Sequence, residues 1–260
     1  MEIKILALGD VIGASGIGYL SDGRRLRRMR DTLGVHLTVV NAENSAEGNG
    51  TLPQSAEALF DAGADILTGG NHTFRRREFY GMLDDCENVL RPANLPAAAE
   101  GHGYTVYNAD GVRVLVMNLL GSVYMDPVAS PFETADSILK RENGAYDVAL
   151  VDFHAEATSE KLALARYLTG RVSAVWGTHT HVQTADACIL GGKTGYITDL
   201  GMTGSPDGVL GVKTEPVLHK FLVKTPVRFE TEHGNERACG ALFTVDADTG
   251  ACLSAEAIAF

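Results

Sequence analysis

Residues 172–181 read Val-Ser-Ala-Val-Trp-Gly-Thr-His-Thr-His. The short apolar run Val172–Val175, followed by Trp176 and Gly177, is typical of a buried strand. His179 and His181 follow it at positions i and i+2, so on an extended segment both side chains can be turned toward one metal ion at the bent end of the strand. The stretch therefore predicts a strand that delivers two imidazoles to the edge of a sheet.

Other apolar runs alternate with helical patterns over the first two thirds of the chain. The runs are Ile3–Leu8, Leu37–Val40, Asp65–Leu67, Val112–Leu120 and Asp147–Val151. The helical patterns lie near residues 17–33, 53–62, 75–83, 132–141 and 159–169, and Thr158 is the predicted cap of the last of them. This alternation predicts βαβ units and a largely parallel sheet.

The pattern changes after about residue 182. Two short runs, 187–190 and 195–198, flank Gly191-Gly192 and predict a hairpin, while 240–245 and 253–260 predict late antiparallel strands. We therefore expect two packed sheets flanked by helices, in one domain that spans residues 1–260.

Polar side chains with metal-binding chemistry follow almost every predicted strand of the parallel part. They are Asp10, Glu43, Asn44, Asn71, His154, His179 and His181. Each one alone could be a turn former, a helix cap or a hydrogen-bonded core histidine. Because the carboxyl ends of parallel strands share one edge of a sheet, we expect the seven to converge there.

The donor set predicts the kind of site. Two carboxylates, two amides and three imidazoles are too many for one tetrahedral zinc ion, but they suit two ions that share a carboxylate. A set without cysteine favours iron, manganese or zinc over copper(I) or an iron–sulfur cluster. Two divalent ions would outweigh the two carboxylates and a shared hydroxide by about one positive charge, which selects a small anion such as a phosphate ester.

Composition limits the other functions. The chain has 260 residues, 45% of them hydrophobic, and a formal net charge of −11, which argues against binding duplex nucleic acid. A cleft can still carry the opposite charge and bind a small phosphate. The basic run Arg24, Arg25, Arg27, Arg28 and Arg30 predicts the solvated face of an amphipathic helix, with an RNA-binding face as the alternative.

Compartment signals point to the cytoplasm. No apolar run approaches the roughly 18 residues of a membrane span, and the first residues lack the pattern of a secretory signal. The scattered cysteines, Cys86, Cys188, Cys239 and Cys252, predict reduced thiols rather than a disulfide framework.

With these residues in hand, the chain resembles the calcineurin-like metallophosphoesterases, and within them the YmdB-type branch of bacterial cyclic-nucleotide phosphodiesterases. The superfamily motifs are present as Gly70-Asn71-His72, the lone His154 and Gly177–His181. Two positions depart from the superfamily: Ile12 stands where a histidine ligand is usual, and Glu43-Asn44 replaces an aspartate motif. The YmdB-type branch shows both departures. It also shares the stretches 152–161, 179–186 and 198–204, and the resemblance covers about residues 1–215.

The resemblance implies a four-layer α/β/β/α sandwich with its active site at the carboxyl ends of the strands. It implies one metal site formed by Asp10, Glu43, Asn44 and His181, and a second formed by Glu43, Asn71, His154 and His179, with Glu43 bridging. It also implies that His72 is the general acid. The implied metals are iron or manganese, and the implied substrates are 2′,3′-cyclic nucleotides, with 3′,5′-cyclic nucleotides less strongly implied. Members of the family often form homo-oligomers.

The resulting hypothesis is direct in-line attack on phosphorus by a metal-bridging hydroxide, with His72 protonating the leaving oxygen. Three alternatives remain open. One is a regulatory protein that binds a nucleotide or RNA and keeps the metals with little turnover. The others are a metal-dependent ribonuclease and a metal-dependent amide hydrolase.

Overall fold

A computed structural model describes all 260 residues. The strands are β1 (Glu2–Leu8), β2 (Asp10–Val11), β3 (Leu37–Asn41), β4 (Ile66–Thr68), β5 (Val89–Leu90), β6 (Tyr104–Ala109), β7 (Val112–Leu120), β8 (Val148–His154), β9 (Ala174–Thr178), β10 (Cys188–Leu190), β11 (Thr194–Ile197), β12 (Met202–Gly204), β13 (Arg237–Asp246) and β14 (Ala251–Ala259). The helices are α1 (Gly13–Ser21), α2 (Arg25–Leu33), α3 (Pro53–Ala62), α4 (Tyr80–Asp85), α5 (Pro131–Arg141), α6 (Thr158–Leu168) and α7 (Thr214–Val223).

The strands form two sheets. The first has the order β2-β12-β13-β1-β3-β4-β5, with β14 beside β13, and β1, β3, β4 and β5 run parallel in it. The second has the order β10-β11-β9-β8-β7-β6, with β11, β9, β8 and β7 parallel. The antiparallel hairpin of β10 and β11 and the antiparallel pair of β13 and β14 were both predicted, and both are confirmed.

Strand alternation sorts the side chains into three cores. On β1, Ile3 and Ile5 face the other sheet, while Leu6 and Leu8 face the helices, as the two-residue period of a strand requires. Between the sheets the rings of Trp176 and Phe243 stack with centroids 5.7 Å apart. Helices α1 to α4 cover the first sheet, and α5 and α6 cover the second. The expected four-layer α/β/β/α sandwich is confirmed.

Three helix predictions were wrong in detail. The helix expected near 75–83 is α4, which begins only at Tyr80 after two short 3-10 turns. The single helix expected at 17–33 is two helices, because Gly23 and Arg24 both have φ of 55° and interrupt the α-helical backbone. Thr158 is the first residue of α6 rather than its cap, and Ala157 before it has no side chain that could bond the free amides. Strands β2, β5, β6 and β12 were not predicted. Strands β2, β5 and β12 are two or three residues long, and β6 has only one buried side chain, that of Ala109.

Four of the five arginines of the basic run lie on α2, Arg24 directly precedes it, and the run belongs to the packing of the helix layer. Arg25, Arg27 and Arg30 each donate to main-chain carbonyls of neighbouring segments, and Arg30 also pairs with Asp65 at 3.0 Å. Leu26 is fully buried on the opposite face. Contacts within the protein therefore account for three of the five arginines.

None of the helices combines the length and the apolar character needed to cross a bilayer. All four cysteines are free thiols, as predicted.

Candidate metal centre

The seven predicted ligands lie together where the carboxyl ends of strands from both sheets meet. Asp10 follows β1, Glu43 and Asn44 follow β3, and Asn71 follows β4 in the first sheet. His154 is the last residue of β8, and His179 and His181 follow β9 in the second sheet. The rim shared by the two sheets thus brings together residues that are far apart along the chain.

Four of these residues surround one position. The Nε2 atom of His154 lies 3.0 Å from Glu43 Oε1, 3.1 Å from Asn71 Oδ1 and 3.1 Å from His179 Nδ1. The ligand atoms of Glu43, His154 and His179 all lie within 4.8 Å of one another. A carboxylate, an amide oxygen and two imidazoles at such distances form the donor set of a transition-metal site.

A hydrogen-bond relay fixes the tautomer of His154. Its Nδ1 atom lies 3.0 Å from Thr178 Oγ1, and that hydroxyl donates at 2.8 Å to Asp152 Oδ1. Because the hydroxyl proton goes to the carboxylate, Oγ1 accepts from Nδ1 of His154, and in the neutral imidazole Nε2 then keeps a lone pair. Glu43, Asn71 and His179 face Nε2, so either a proton on Nε2 or a bound cation must lie between this lone pair and theirs.

The remaining residues surround a second position. The Asn44 amide nitrogen lies 3.4 Å from Asp10 Oδ1, 3.3 Å from Glu43 Oε1 and 3.3 Å from His181 Nε2. Nδ1 of His181 donates to the carbonyl of Leu210 at 3.1 Å, so Nε2 is the atom that faces a cation once the ring is neutral. A half-turn of the Asn44 amide would present Oδ1 at this position. In that orientation the four side chains would offer two carboxylates, one amide oxygen and one imidazole to a cation.

The backbone of the histidine loop differs from the expected extended segment. His179 has φ of 103° and His181 has φ of 63°, values that side-chain-bearing residues rarely adopt. Hydrogen bonds hold this conformation: the amide of His179 donates to Asp10 Oδ2 at 3.1 Å, and that of Thr180 donates to Asp199 Oδ2 at 3.2 Å. The loop is therefore held by carboxylates rather than by strand pairing.

The electrostatic field of the site keeps the carboxylates ionised. Burial by itself would raise the pKa of Glu43, but His154 and His72 outweigh it and hold that pKa well below its usual value. Burial acts on Asp10 in the same way, and His181 lowers its pKa. Both acids are therefore available as anionic ligands near neutral pH.

The pKa values of His154, His179 and His181 shift in different directions. Burial disfavours the charged form of His181, but Asp10 outweighs it and raises the pKa to about 9. The pKa of His154 is also raised, against its burial, by Glu43. The pKa of His179 is lowered by burial and by the neighbouring charge of His154.

His72 lies beside the cluster rather than in it. Its Nδ1 atom is 3.0 Å from Asn44 Oδ1 and 3.4 Å from Glu43 Oε1, and its main-chain amide donates to Glu43 Oε2 at 3.0 Å. The side chain is 31% exposed and lines the pocket. Nδ1 thus faces the Asn44 amide and the Glu43 carboxylate, and Nε2 has no hydrogen-bond partner within the protein.

Four residues that support the histidines were not identified from the sequence. Asp152 and Thr178 orient His154, Asp199 holds the histidine loop, and Glu156 Oε2 lies 3.0 Å from His179 Nε2. Asp152, Glu156, Thr178 and Asp199 lie within or next to the stretches that carry the family resemblance, which is the only signal that could have indicated them.

A pocket of about 780 Å³ opens over the centre. Glu43, Asn44, His72, His179 and His181 line its floor. Its outer wall includes Arg75 and Arg76, which follow β4, and residues 227–229, which follow α7.

Comparison with known proteins identifies the family. The family model described as YmdB-like protein matches residues 6–258. A 2′,3′-cyclic-nucleotide 2′-phosphodiesterase of Bacillus subtilis is 40% identical over 256 residues, covering 98% of this chain and 96% of the relative. A crystal structure of a hypothetical protein from Thermus thermophilus has a TM-score of 0.92 at 37% identity, covering 99% of each chain. That of a novel phosphatase from Mycoplasma pneumoniae has a TM-score of 0.92 at 31% identity, covering 100% of this chain and 94% of the other. The predicted family is therefore confirmed: the chain belongs to the YmdB-like family and has the metallophosphoesterase fold.

Proposed function

We propose that this protein hydrolyses small phosphodiesters, above all 2′,3′-cyclic nucleotides, at a two-metal centre. The proposed ligands are Asp10, Glu43, Asn44 and His181 for one ion and Glu43, Asn71, His154 and His179 for the other. The observation that carries the proposal is the convergence of these acceptor atoms, 3.0–3.5 Å apart, on the floor of the pocket.

Glu43 is the proposed bridge between the ions. Its Oε1 atom lies 3.0 Å from His154 Nε2 on one side and 3.3 Å from the Asn44 amide on the other. The main-chain amide of His72 donates to the other oxygen, Oε2, and orients the carboxylate.

The donor chemistry suggests the metals. Oxygen and imidazole ligands without thiolate suit iron or manganese, with zinc as a further candidate. When bound, two such ions supply a nucleophile by acidifying a shared water and offset the charge on the phosphoryl oxygens. The protein positions the phosphodiester in the pocket, and His72 is the proposed donor of a proton to the leaving oxygen through Nε2.

The similarity to the B. subtilis phosphodiesterase confirms the predicted enzyme class, a phosphodiester hydrolase, and supports the cyclic-nucleotide assignment. The free thiols support the expected cytoplasmic location, because reducing compartments keep cysteines unpaired.

A turnover assay tests the function directly. Protein loaded with manganese should convert 2′,3′-cyclic AMP to a nucleoside monophosphate, and elemental analysis should find two ions per chain. Glu43→Ala should lose both ions and turnover together, because the bridge contacts both sites. A protein that retains two ions and binds the nucleotide without releasing product would instead be the regulatory binding protein considered above.

A further inference from the structure

The outer wall of the pocket contains cationic and aromatic side chains that the proposed metal chemistry does not use. Arg75, Arg228 and Phe229 line the pocket, and all three are exposed. Phe229 retains 42% of its accessible surface and packs in none of the three cores. In a chain with a net charge of −11, such a wall is a local site of positive charge and apolar area.

The arginines of the wall differ in whether their guanidinium groups already form hydrogen bonds within the protein. Arg76 donates to the carbonyls of Glu47 and Asn49 at 2.5 and 3.1 Å and fixes the loop between them. The arginines with carboxylate partners are Arg30, Arg113 and Arg171. Arg75 and Arg228 therefore keep guanidinium groups available for a ligand.

The segment that carries Arg228 and Phe229 is held in place over the pocket. Two residues beyond Phe229, the amide and hydroxyl of Thr231 donate to Glu47 at 3.1 and 3.0 Å. The amide of Lys213 donates to the carbonyl of Glu230 at 2.9 Å, and Val212 forms a bridge with Thr231. The segment is thus anchored at Glu230 and Thr231, directly after Phe229, which lowers the entropic cost of binding a ligand against the wall.

We propose that Phe229 and Arg228 form a nucleoside-recognition wall, in which the base of a nucleotide stacks on the Phe229 ring beside the Arg228 guanidinium while its phosphodiester lies on the metal-binding floor. This assignment rests on the proposed phosphodiesterase function and adds to it that the protein recognises the base of its substrate. Aromatic rings and flat guanidinium groups are the two side-chain types on which bases stack. Stacking tolerates any base, so the wall selects a nucleotide over a base-free phosphodiester but favours no base strongly.

Two cyclic phosphodiesters distinguish the contribution of the recognition wall from that of the metal-binding floor. Glycerol 1,2-cyclic phosphate has the same five-membered cyclic diester as 2′,3′-cyclic AMP and no base. For each variant we compare the kcat/KM for 2′,3′-cyclic AMP with the kcat/KM for the glycerol ester. Phe229→Ala should lower the ratio of the first to the second by about ten-fold, the loss typical of one stacked base. Phe229→Trp should preserve the ratio, and Phe221→Ala, which alters a 67% exposed ring on α7 outside the pocket, is the matched control.

Product binding supplies a readout that needs no turnover. Calorimetry should show adenosine 3′-phosphate binding about ten-fold more weakly to Phe229→Ala than to the Phe221→Ala control. An unchanged substrate ratio together with unchanged binding would overturn the recognition wall. Wild-type protein that binds adenosine 3′-phosphate through Phe229 but hydrolyses neither ester would overturn the proposed function and leave the wall in place.

Discussion

Lys161 and Asp199 form an ion pair of 2.6 Å in which both side chains are only 1% exposed. The methylenes of Lys161 pass over Gly177, where an added Cβ would lie 2.7 Å from Lys161 Cδ. Asp199 in turn accepts the amides of Thr180 and Gly201 at 3.2 and 2.8 Å. The pair therefore connects helix α6 to the loop that carries His179 and His181.

Removing one partner of this pair should destabilise the fold strongly. Lys161→Met leaves the Asp199 carboxylate buried without its counter-charge, and we expect a loss of about 3–5 kcal/mol in the free energy of unfolding, measured by urea titration. Lys161→Met combined with Asp199→Asn should recover part of the loss. Lys213→Met breaks the exposed pair with Glu230 and should change stability little. Equal stability of the Lys161 and Lys213 variants would contradict the assigned role.

Gly70 should be intolerant of any side chain. An added Cβ would overlap Glu43 Oε2 and the ring of His154, so Gly70→Ala must push a proposed bridge and a proposed ligand apart. We expect the variant to lose metal at this position, measured as ions per chain by elemental analysis. Gly81→Ala on helix α4 is the control, because a Cβ there has open space around it. Full metal content in Gly70→Ala would show that the ligands are not where we place them.

His72 should matter only when the leaving group needs a proton. With Nδ1 oriented by Asn44 and Glu43, Nε2 is the proposed donor. His72→Ala should lower kcat by about 10²–10⁴-fold for 2′,3′-cyclic AMP, the range typical of general acid catalysis, and should largely spare a nitrophenyl phosphodiester. Equal losses on both substrates would remove this role from His72.

The stability of the metal-free protein should fall with rising pH. The pKa of His181 rises from 6.5 to about 9 beside Asp10, so the stabilisation is complete below pH 6.5 and is lost as pH rises through 9. The shift corresponds to roughly 3 kcal/mol. Urea unfolding in chelator at pH 6 and pH 9 measures it, and His181→Asn should remove most of the difference. A metal-free protein that is more stable at pH 9 would refute the pairing.

Metal binding should show the opposite trend. His181 must lose its proton to become a ligand, so the apparent affinity for manganese should increase with pH up to about 9 and each binding event should release a proton. Calorimetry in two buffers with different ionisation enthalpies counts the protons. An affinity that does not change with pH would place the metal away from His181.

Sequence alone determined which residues could do chemistry and on which strands they lie. Sequence patterns are local, so the apolar run along residues 3–8 indicated a strand. The polar residues after each run, such as Asp10 and His154, indicated ligands at strand ends. The prediction of one long helix at 17–33 was wrong because the break at Gly23 and Arg24 depends on backbone angles that the spacing of apolar residues does not encode.

Only the tertiary structure decided how the strand ends of the two sheets meet and which residues support the site there. The left-handed backbone of His179 and His181 and the buried pair of Lys161 and Asp199 depend on contacts between segments far apart in the chain. The same holds for the wall at Phe229, which comes from an irregular segment with no periodic signal. The spacing of apolar residues along the chain determines which face of a strand or helix each side chain occupies. The residues that a side chain contacts depend on how the sheets and helices pack together, and the energy of that packing is spread over the entire molecule.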